Sequence, residues 1–313
     1  MKVLVTGAAG FFGAALVRLL AAQGCQVFGL VRPETDLWRL QNLPASVELV
    51  ACDLLAPDQA GACIERIRPE LCIHLAWYVQ PSKFLTSPLN LQHLQASLSL
   101  AELLAKNGCR RLVAAGTCAE YDSERGYLSE AAPLLPLNLY AASKVALGLL
   151  LAPFAAQLGL ELAWARIFYA YGPFEDERRF IPAVINTLLR SEPTRLTPGG
   201  QVRDYLHNQD VAGALWAVAQ SSLVGPVNIG SGVPVTNRQV AIQIGEILGR
   251  PELVKFGDLP YRAGDPMFVV ADTRRLQQST GWQPRFGLEE GLANAINWWK
   301  ERSTLTWTRN EPQ

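Results

Sequence analysis

The chain has 313 residues, of which 49% are hydrophobic, and its 28 Lys and Arg residues balance 28 Asp and Glu residues. This length is enough for a large packed core and for more than one domain. The zero net charge and the lack of long like-charge blocks exclude a strongly basic nucleic-acid-binding surface and a charged tail.

The numbers and positions of cysteines, histidines and uncharged residues indicate the redox compartment and argue against metal sites and membrane segments. The six cysteines lie in the first half, form no C-x-x-C pair and fall in several apolar runs, which favours reduced thiols in a cytoplasmic protein. The three histidines are far apart, so we expect no metal site. The longest uncharged stretch, between Lys144 and Glu161, is interrupted by glycines and a proline, and Arg18 closes the first apolar run. We therefore expect neither a membrane span nor a signal peptide.

The first half of the chain alternates between strand-like and helix-like segments. The predicted strands are "KVLVTG", "QVFGLVR", "SVELVACDL", "ELCIHLAW", "RRLVAAGT" and "LELAWARIF". The predicted helices are residues 11–23, "AGACIERIR", 88–107 and 139–158. Short apolar strands separated by helices predict an α/β fold, with a parallel sheet covered by helices on both faces.

The second half is less regular. The stretches "GPFEDERRFIP" and "TPGGQVRD" have loop-like composition, and helices are predicted near 208–220, 236–248 and 288–301, with "GPVNIG" as a short strand. This pattern predicts a smaller domain packed over the open end of the sheet. The last residues, "TRNEPQ" at 308–313, are expected to be loosely attached.

A glycine-rich turn, "VTGAAGFFGAAL", follows the first strand. Gly7 and Gly10 suit a backbone that closely approaches a diphosphate at a helix N-terminus, and Gly13 suits close packing of that helix on the strand. The turn therefore predicts a dinucleotide site, because it follows a strand and opens a helix. The expected cofactor contacts are Gly7, Gly10, Phe11, Phe12, Gly13, Arg32, Asp53, Leu54, Leu75, Ala76, Tyr140 and Lys144.

The end of the second strand bears on the choice of dinucleotide. An acidic residue there would hold a ribose hydroxyl, but Val31 and Arg32 occupy the place. Arg32 favours the extra phosphate of NADP. In the alternative, Arg32 is solvated, Glu34 or Asp36 binds the ribose, and the cofactor is NAD. Asp53, after the third strand, is either an adenine contact or a turn residue.

The segment "YAASK" places Tyr140 and Lys144 four residues apart on one helix face. A tyrosine needs a nearby positive charge to act as an acid–base group near neutral pH, and Lys144 supplies one. Thr117, at the end of the fifth strand, lies at the same predicted sheet edge and can hold a substrate oxygen. Without this context, the pair would be an ordinary surface pair.

These motifs together resemble the extended short-chain dehydrogenase/reductase family, whose members include epimerases, dehydratases and reductases of nucleotide sugars. The resemblance covers nearly the whole chain and includes "TGAAGFFG", "HLAW", "YAASK", "RIFYAYGP" and "NIGSG". It implies a Rossmann-type doubly wound domain over 1–168, a smaller substrate domain over 169–313, and a segment 203–235 that packs back onto the first domain.

The resemblance also implies a catalytic triad of Thr117, Tyr140 and Lys144 and a nucleoside-diphosphate sugar as substrate. Arg203 and Arg262 match arginines that bind the diphosphate in the family, because a guanidinium group suits phosphate oxygens. The expected substrate contacts are Thr117, Tyr78, Glu120, Tyr169, Phe180, Gln201, Arg203 and Arg262.

The chain departs from the family pattern at several positions. Many sugar 4,6-dehydratases carry an Asp–Glu pair after the active-site Thr, whereas this chain has Cys118 and Ala119, which argues against dehydration. Tyr169 replaces the Asn that binds the diphosphate in many epimerases. With no acid after the second strand, the pattern favours a 4-ketoreductase that uses exchangeable NADPH. The alternatives are a 4-epimerase with retained NAD and, as a minor one, a non-catalytic NADP-binding protein.

The two helices 88–107 and 139–158 are unusually apolar. The second contains "VALGLLLAPFAAQLGL", which leaves few polar positions for a solvent-facing side. Members of the family pair these helices across a two-fold axis, so we expect a homodimer through them.

Overall fold

The computed structural model describes residues 1–307, and the side chains of residues 1–302; the "TRNEPQ" segment lies outside the described residues. The strands are β1 (Lys2–Thr6), β2 (Gln26–Val31), β3 (Val47–Ala51), β4 (Leu71–His74), β5 (Arg111–Thr117), β6 (Tyr127–Leu128), β7 (Glu161–Ile167), β8 (Tyr169–Tyr171), β9 (Val202–His207), β10 (Gly225–Ile229), β11 (Pro234–Thr236) and β12 (Phe268–Ala271). The α-helices are α1 (Phe11–Ala22), α2 (Pro57–Ile67), α3 (Leu89–Lys106), α4 (Leu139–Gln157), α5 (Phe180–Leu189), α6 (Asn208–Gln220), α7 (Asn237–Leu248), α8 (Arg274–Thr280) and α9 (Leu288–Trp307).

Seven strands form one parallel sheet in the order β10-β7-β5-β4-β1-β2-β3. In register, Val3 of β1 lies between Val27 of β2 and Leu71 of β4. The two faces of the sheet are covered by separate apolar cores, one including residues of α1 and α6 and the other including residues of α2, α3 and α4. The predicted Rossmann-type α/β fold is confirmed, because buried parallel strands need helices on both faces.

The segment that returns to the first domain supplies both a helix and a strand. Helix α6 packs against α1, and β10 continues the large sheet beside β7. Conversely, β6 lies within the sequence of the first domain but pairs with β12 in a second sheet of order β11-β9-β12-β6. Each domain therefore contains a strand from the other's part of the sequence.

The second domain has its own core, to which α5, α7 and α9 contribute. The stretch "TPGGQVRD" is not entirely loop, since β9 begins at Val202 and pairs with both β11 and β12. In "GPFEDERRFIP" the loop ends where α5 begins at Phe180. Both expectations were wrong at their C-terminal ends, because strong turn residues precede short apolar elements whose pairing partners are distant in sequence.

Helix α4 has a buried apolar face and exposed leucines. By length and mean hydropathy it is apolar enough to cross a membrane, although a core helix meets the same criterion. One face, with Leu147 and Leu151, is buried against the sheet. The helix also exposes Leu149 and Leu150, which are 65% and 50% accessible, and it packs against α3.

Candidate active site

The glycine turn has the geometry that a dinucleotide needs. Gly7 has a φ of +68°, and a Cβ there would lie 2.8 Å from the amide nitrogen of Ala76 after β4. A Cβ on Gly13 would lie 2.1 Å from the carbonyl oxygen of Gly7. Helix α1 begins after Gly10 without a side-chain cap and without an acidic residue in its first turn. Its free N–H groups and positive dipole end therefore fit a diphosphate.

A hydrogen-bond chain fixes the end of β4 beside this turn. Ser97 donates its hydroxyl hydrogen to the His93 carbonyl oxygen (2.6 Å), so His74 Nε2–H donates to the Ser97 oxygen (2.8 Å). The other ring nitrogen of His74 then accepts from the Thr6 hydroxyl (2.7 Å). In turn, the N–H groups of Leu75 and Ala76 donate to Thr6 Oγ1 (3.1 Å each). Burial lowers the pKa of His74 to about 3, which keeps this ring neutral.

The remaining predicted cofactor residues lie along the same edge of the sheet. Arg32 is exposed directly after β2, whose last residue, Val31, is buried. Asp53 Oδ1 accepts from the Leu55 N–H (2.9 Å), so this carboxylate closes a local turn at the end of β3. The half-buried side chain of Leu54 packs on the adjacent core. The rings of Phe11 and Phe12 lie 5.2 Å apart at the start of α1.

The structure brings the three predicted catalytic side chains together. Thr117 ends β5, and its side chain lies close enough to Tyr140, in the first turn of α4, to lower the pKa of that phenol. The side chain of Asn138 caps this helix by accepting from the Ala141 N–H (3.0 Å), which fixes where the turn begins. Lys144 lies one turn further on and donates to the Ala115 carbonyl oxygen (2.8 Å).

Burial sets the protonation of the two titratable members. It raises the pKa of Tyr140 to about 12, although hydrogen bonding with Thr117 and the positive charge of Arg179 oppose the rise. Burial also lowers the pKa of Lys144 to about 7, and the negative charge of Glu120 opposes that fall. The sequence predicted that Lys144 lowers the pKa of Tyr140, but burial raises this pKa, and the positive charge that opposes the rise is that of Arg179. At neutral pH the phenol is therefore protonated, which is the form that donates a proton.

Glu120 lies behind the triad, whereas the sequence predicted that it contacts the substrate. Its side chain is fully buried, and Oε1 accepts from the Thr117 N–H (2.8 Å). Arg166 Nε donates to Oε2 (2.7 Å), and Trp164 Nε1 donates to the same carboxylate (3.1 Å). Because Thr117 and Glu120 form a capping box, the carboxylate turns inward and binds the backbone of Thr117. The predicted substrate contact is corrected accordingly.

Several predicted substrate residues converge on one carboxylate. Asp265 accepts from the Arg203 guanidinium (2.9 Å) and from the Gln201 amide (3.0 Å). The Tyr169 ring lies beneath the Arg203 guanidinium at 5.0 Å. Since Arg203 is only 3% exposed, its fork is already held in position. This cluster adjoins the triad, because the Cys118 thiol lies close enough to influence the pKa of both Tyr140 and Tyr169.

The other predicted substrate residues lie apart from this cluster. Arg262 is exposed in the loop three residues before Asp265. Phe180 starts α5 and packs on the core of the second domain. The Tyr78 hydroxyl donates to the Gln80 side chain (2.9 Å) in the loop after β4.

Sequence reasoning missed two residues beside the triad. The Phe84 ring meets Tyr140 edge-on, with 4.9 Å between centroids, and the Arg179 guanidinium lies 5.7 Å from the Phe84 centroid. Both come from loops with no regular pattern, so the sequence offered no signal for them. Asp265 was also missed, although it belongs to the "YRAGDP" stretch.

Comparisons with known proteins agree with this geometry. Residues 3–230 match the model of the NAD-dependent epimerase/dehydratase family. A UDP-glucose 4-epimerase of Mycolicibacterium smegmatis is 29% identical over 97% of this chain and all of its own. The solved structure of MoeE5 with UDP-glucuronic acid and NAD is 32% identical over 96% of this chain and 100% of that chain, with a TM-score of 0.81. A Thermus thermophilus UDP-glucose 4-epimerase solved with NAD is 28% identical, covers 96% and 99% of the two chains, and has a TM-score of 0.84. The chain therefore belongs to the NAD-dependent epimerase/dehydratase family, a family of enzymes within the extended short-chain dehydrogenases/reductases.

Proposed function

We propose that this enzyme reduces the keto group of a nucleoside-diphosphate sugar, in particular a 4-keto-6-deoxy sugar, and uses NADPH that exchanges at each turnover. The observation that carries the proposal is the end of β2, where an exposed arginine stands in the place of the acid that would bind a ribose hydroxyl. The two nearest carboxylates, Glu34 and Asp36, lie further along the loop and are both exposed, and Asp36 Oδ1 accepts from the Trp38 N–H (3.0 Å). Arg32 directly follows β2, and its charge suits a 2′-phosphate.

The chemistry assigned to the triad follows from its protonation. When bound, the reduced nicotinamide supplies the hydride that adds to the carbonyl carbon. Tyr140 gives its phenolic proton to the carbonyl oxygen, so the ketone becomes a secondary alcohol. Thr117 holds that oxygen through its hydroxyl, and the Lys144 ammonium stabilises the phenolate that remains. The raised pKa of Tyr140 supports this direction, because the phenol begins in its donor form.

We further propose that the diphosphate of the sugar nucleotide binds Arg203, with Arg262 contributing from the loop. Arg203 is already oriented by Asp265, and a guanidinium fork matches two phosphate oxygens. Cys118 and Ala119 carry no carboxylate, so this pocket lacks the acid–base pair of a 4,6-dehydratase. The exposed leucines of α3 and α4 support pairing of two copies of the chain through these helices.

A second candidate is a 4-epimerase that retains NAD. The relatives named as UDP-glucose 4-epimerases favour it, and the same triad serves both reactions. In that case Tyr140 first removes a proton from the C4 hydroxyl, and the sugar turns before it is reduced on its other face. A non-catalytic cofactor-binding role is the weakest candidate, because Tyr140 and Lys144 are both present.

The test is incubation of the purified protein with NADPH and a panel of nucleotide 4-keto-sugars and 4-hydroxy-sugars. Stoichiometric NADPH oxidation with formation of the alcohol supports the reductase. Interconversion of 4-hydroxy-sugars without cofactor consumption, with NAD released on denaturation, would establish the epimerase instead. Arg32→Glu should weaken NADPH binding at least tenfold and leave NADH binding unchanged. Arg110→Glu, an exposed arginine at the opposite edge of the sheet, is the matched control.

A further inference from the structure

The catalytic lysine contacts an aromatic ring. Trp77 lies in the loop after β4, and its ring centroid is 3.7 Å from Lys144 Nζ. Lys144 is only 4% exposed, so its ammonium is largely removed from water. One N–H of this ammonium is satisfied by the Ala115 carbonyl oxygen (2.8 Å).

No carboxylate among the side chains of residues 1–302 lies within ion-pair distance of this ammonium. Glu120 acts on Lys144 only through space, because its oxygens bind Arg166, Trp164 and the Thr117 amide. The negative face of the Trp77 indole is therefore a direct stabiliser of the buried charge. Such a cation–π contact is stronger in a desolvated site than at a surface.

The indole is held in place independently of the lysine. Its Nε1–H donates to Asn90 Oδ1 (2.8 Å) at the start of α3. Asn90 is itself fully buried, and its amide group donates to the carbonyl oxygens of Phe84 (2.7 Å) and Ser87 (2.8 Å). The His93 ring packs 5.5 Å from the indole. Trp77 is thus held by contacts that do not involve Lys144.

We propose that Trp77 is a positioning residue for the reaction: its indole face holds the Lys144 ammonium, which lies one helical turn from Tyr140 on α4, in its charged form. This inference rests on the proposed function, since it takes Lys144 to be the partner of the reacting tyrosine. The titratable groups that surround the ammonium are Glu120 after β5, His74 at the end of β4, His93 on α3, and Tyr140 on its own helix.

The contact with Trp77 affects whether Lys144 is charged near neutral pH. Burial places the pKa of Lys144 at about 7, so a small change in its surroundings decides whether it is charged near neutral pH. Both neighbouring histidines are themselves neutral there, because burial lowers the pKa of His74 to about 3 and that of His93 to about 4. Glu120 supplies the only charge among these neighbours that opposes the effect of burial, and the indole adds to it.

The test measures the Lys144 pKa in the free protein, with lysine labelled at 13Cε and the signal assigned with Lys144→Arg. In Trp77→Leu, which keeps an apolar side chain but removes the ring, we expect the pKa to fall by about one unit, because a desolvated cation–π contact is of that size. Trp77→Phe should fall between this variant and wild type. Trp298→Leu, which removes an indole from a cation in the second domain, should leave the Lys144 pKa unchanged.

An unchanged or raised Lys144 pKa in Trp77→Leu would overturn the proposal. If the enzyme turns over, the alkaline limb of the kcat profile, where the Lys144 ammonium loses its proton, should move to lower pH by the same amount in Trp77→Leu and be largely restored in Trp77→Phe. Tighter cofactor binding in Trp77→Leu would also overturn it, because the indole would then obstruct the nucleotide. The titration needs neither cofactor nor substrate, so a normal pKa shift without reductase activity would contradict only the proposed function.

Discussion

Replacing Glu120 by Gln tests how much the buried ion pair between Glu120 and Arg166 contributes to the free energy of unfolding. The Glu120 and Arg166 side chains are 1% and 8% exposed, and their 2.7 Å contact is a charged hydrogen bond. Glutamine keeps the size of the side chain but leaves the Arg166 guanidinium buried without a counter-charge. Removing one partner of such a pair costs about 3–5 kcal/mol, because an uncompensated charge remains in a medium of low polarity.

The assay is urea unfolding at pH 7 followed by circular dichroism. We expect the free energy of unfolding of Glu120→Gln to be lower than that of wild type by about 3–5 kcal/mol. The double variant Glu120→Gln/Arg166→Met should lose less than the single variant, because it buries no unpaired charge. Glu124→Gln, an exposed carboxylate nearby, should stay within about 0.5 kcal/mol of wild type.

Two results would contradict the pairing of Glu120 with the buried Arg166 guanidinium. A loss of less than about 1 kcal/mol in Glu120→Gln would mean that the carboxylate is not the partner of a buried charge. A double variant as unstable as the sum of both single variants would mean that the two side chains do not interact. Since the Thr117 amide donates to Glu120, kcat should also fall in Glu120→Gln while the Kd for the cofactor is unchanged.

Three further predictions concern the catalytic phenol, a buried histidine and the apolar helix face. Tyr140→Phe should lower kcat at least 100-fold and keep cofactor affinity by fluorescence titration, and unchanged turnover would reject the mechanism. Burial lowers the pKa of His207 from 6.5 to about 4, so stability is present above pH 6.5 and is lost as pH falls to 4. Between pH 6.5 and pH 4, urea unfolding of His207→Asn should show a loss of unfolding free energy about 3 kcal/mol smaller than that of wild type. The same pH dependence in both proteins would contradict this prediction. Leu149→Glu together with Leu150→Glu should convert a dimer to monomer in light scattering, and a wild-type protein that is already monomeric at micromolar concentration would refute the dimer.

Local patterns were sufficient to predict the large sheet and the triad. The glycine turn, the alternating strands and the four-residue spacing of Tyr140 and Lys144 all act within one or two elements. Parallel strands bring their carboxyl ends to one edge, so Thr117 could be placed beside them without coordinates. The structure confirms the sheet and places Thr117 close to Tyr140, whereas the catalytic role of these residues stays a prediction.

Glu120 shows where the prediction failed although a signal was present. The spacing from Thr117 to Glu120 is the S/T-x-x-E pattern of a capping box, which turns the carboxylate toward the backbone of the threonine. The strand β5 ends at Thr117 and a short 3₁₀ turn follows, so the side-chain alternation of a strand does not set the direction of Glu120.

The second domain could not be predicted to the same depth, because its contacts join distant segments. The carboxylate of Asp265 meets Arg203 across 62 residues, and Arg179 reaches Phe84 from another domain. The strand β9 pairs with β8 before it and with β11 and β12 after it in the sequence, and no local window contains these partners. Tertiary pairing therefore decides these elements more than propensity does.

The most direct test of the account follows the hydride. The purified enzyme is given NADPH deuterated at the transferable position of the nicotinamide, together with a nucleotide-linked 4-keto-6-deoxy sugar. We predict one deuterium at C4 of the alcohol product, formed in step with cofactor oxidation, and at least 100-fold slower formation in Tyr140→Phe. A product without deuterium at C4, or one formed equally fast by Tyr140→Phe, would contradict it.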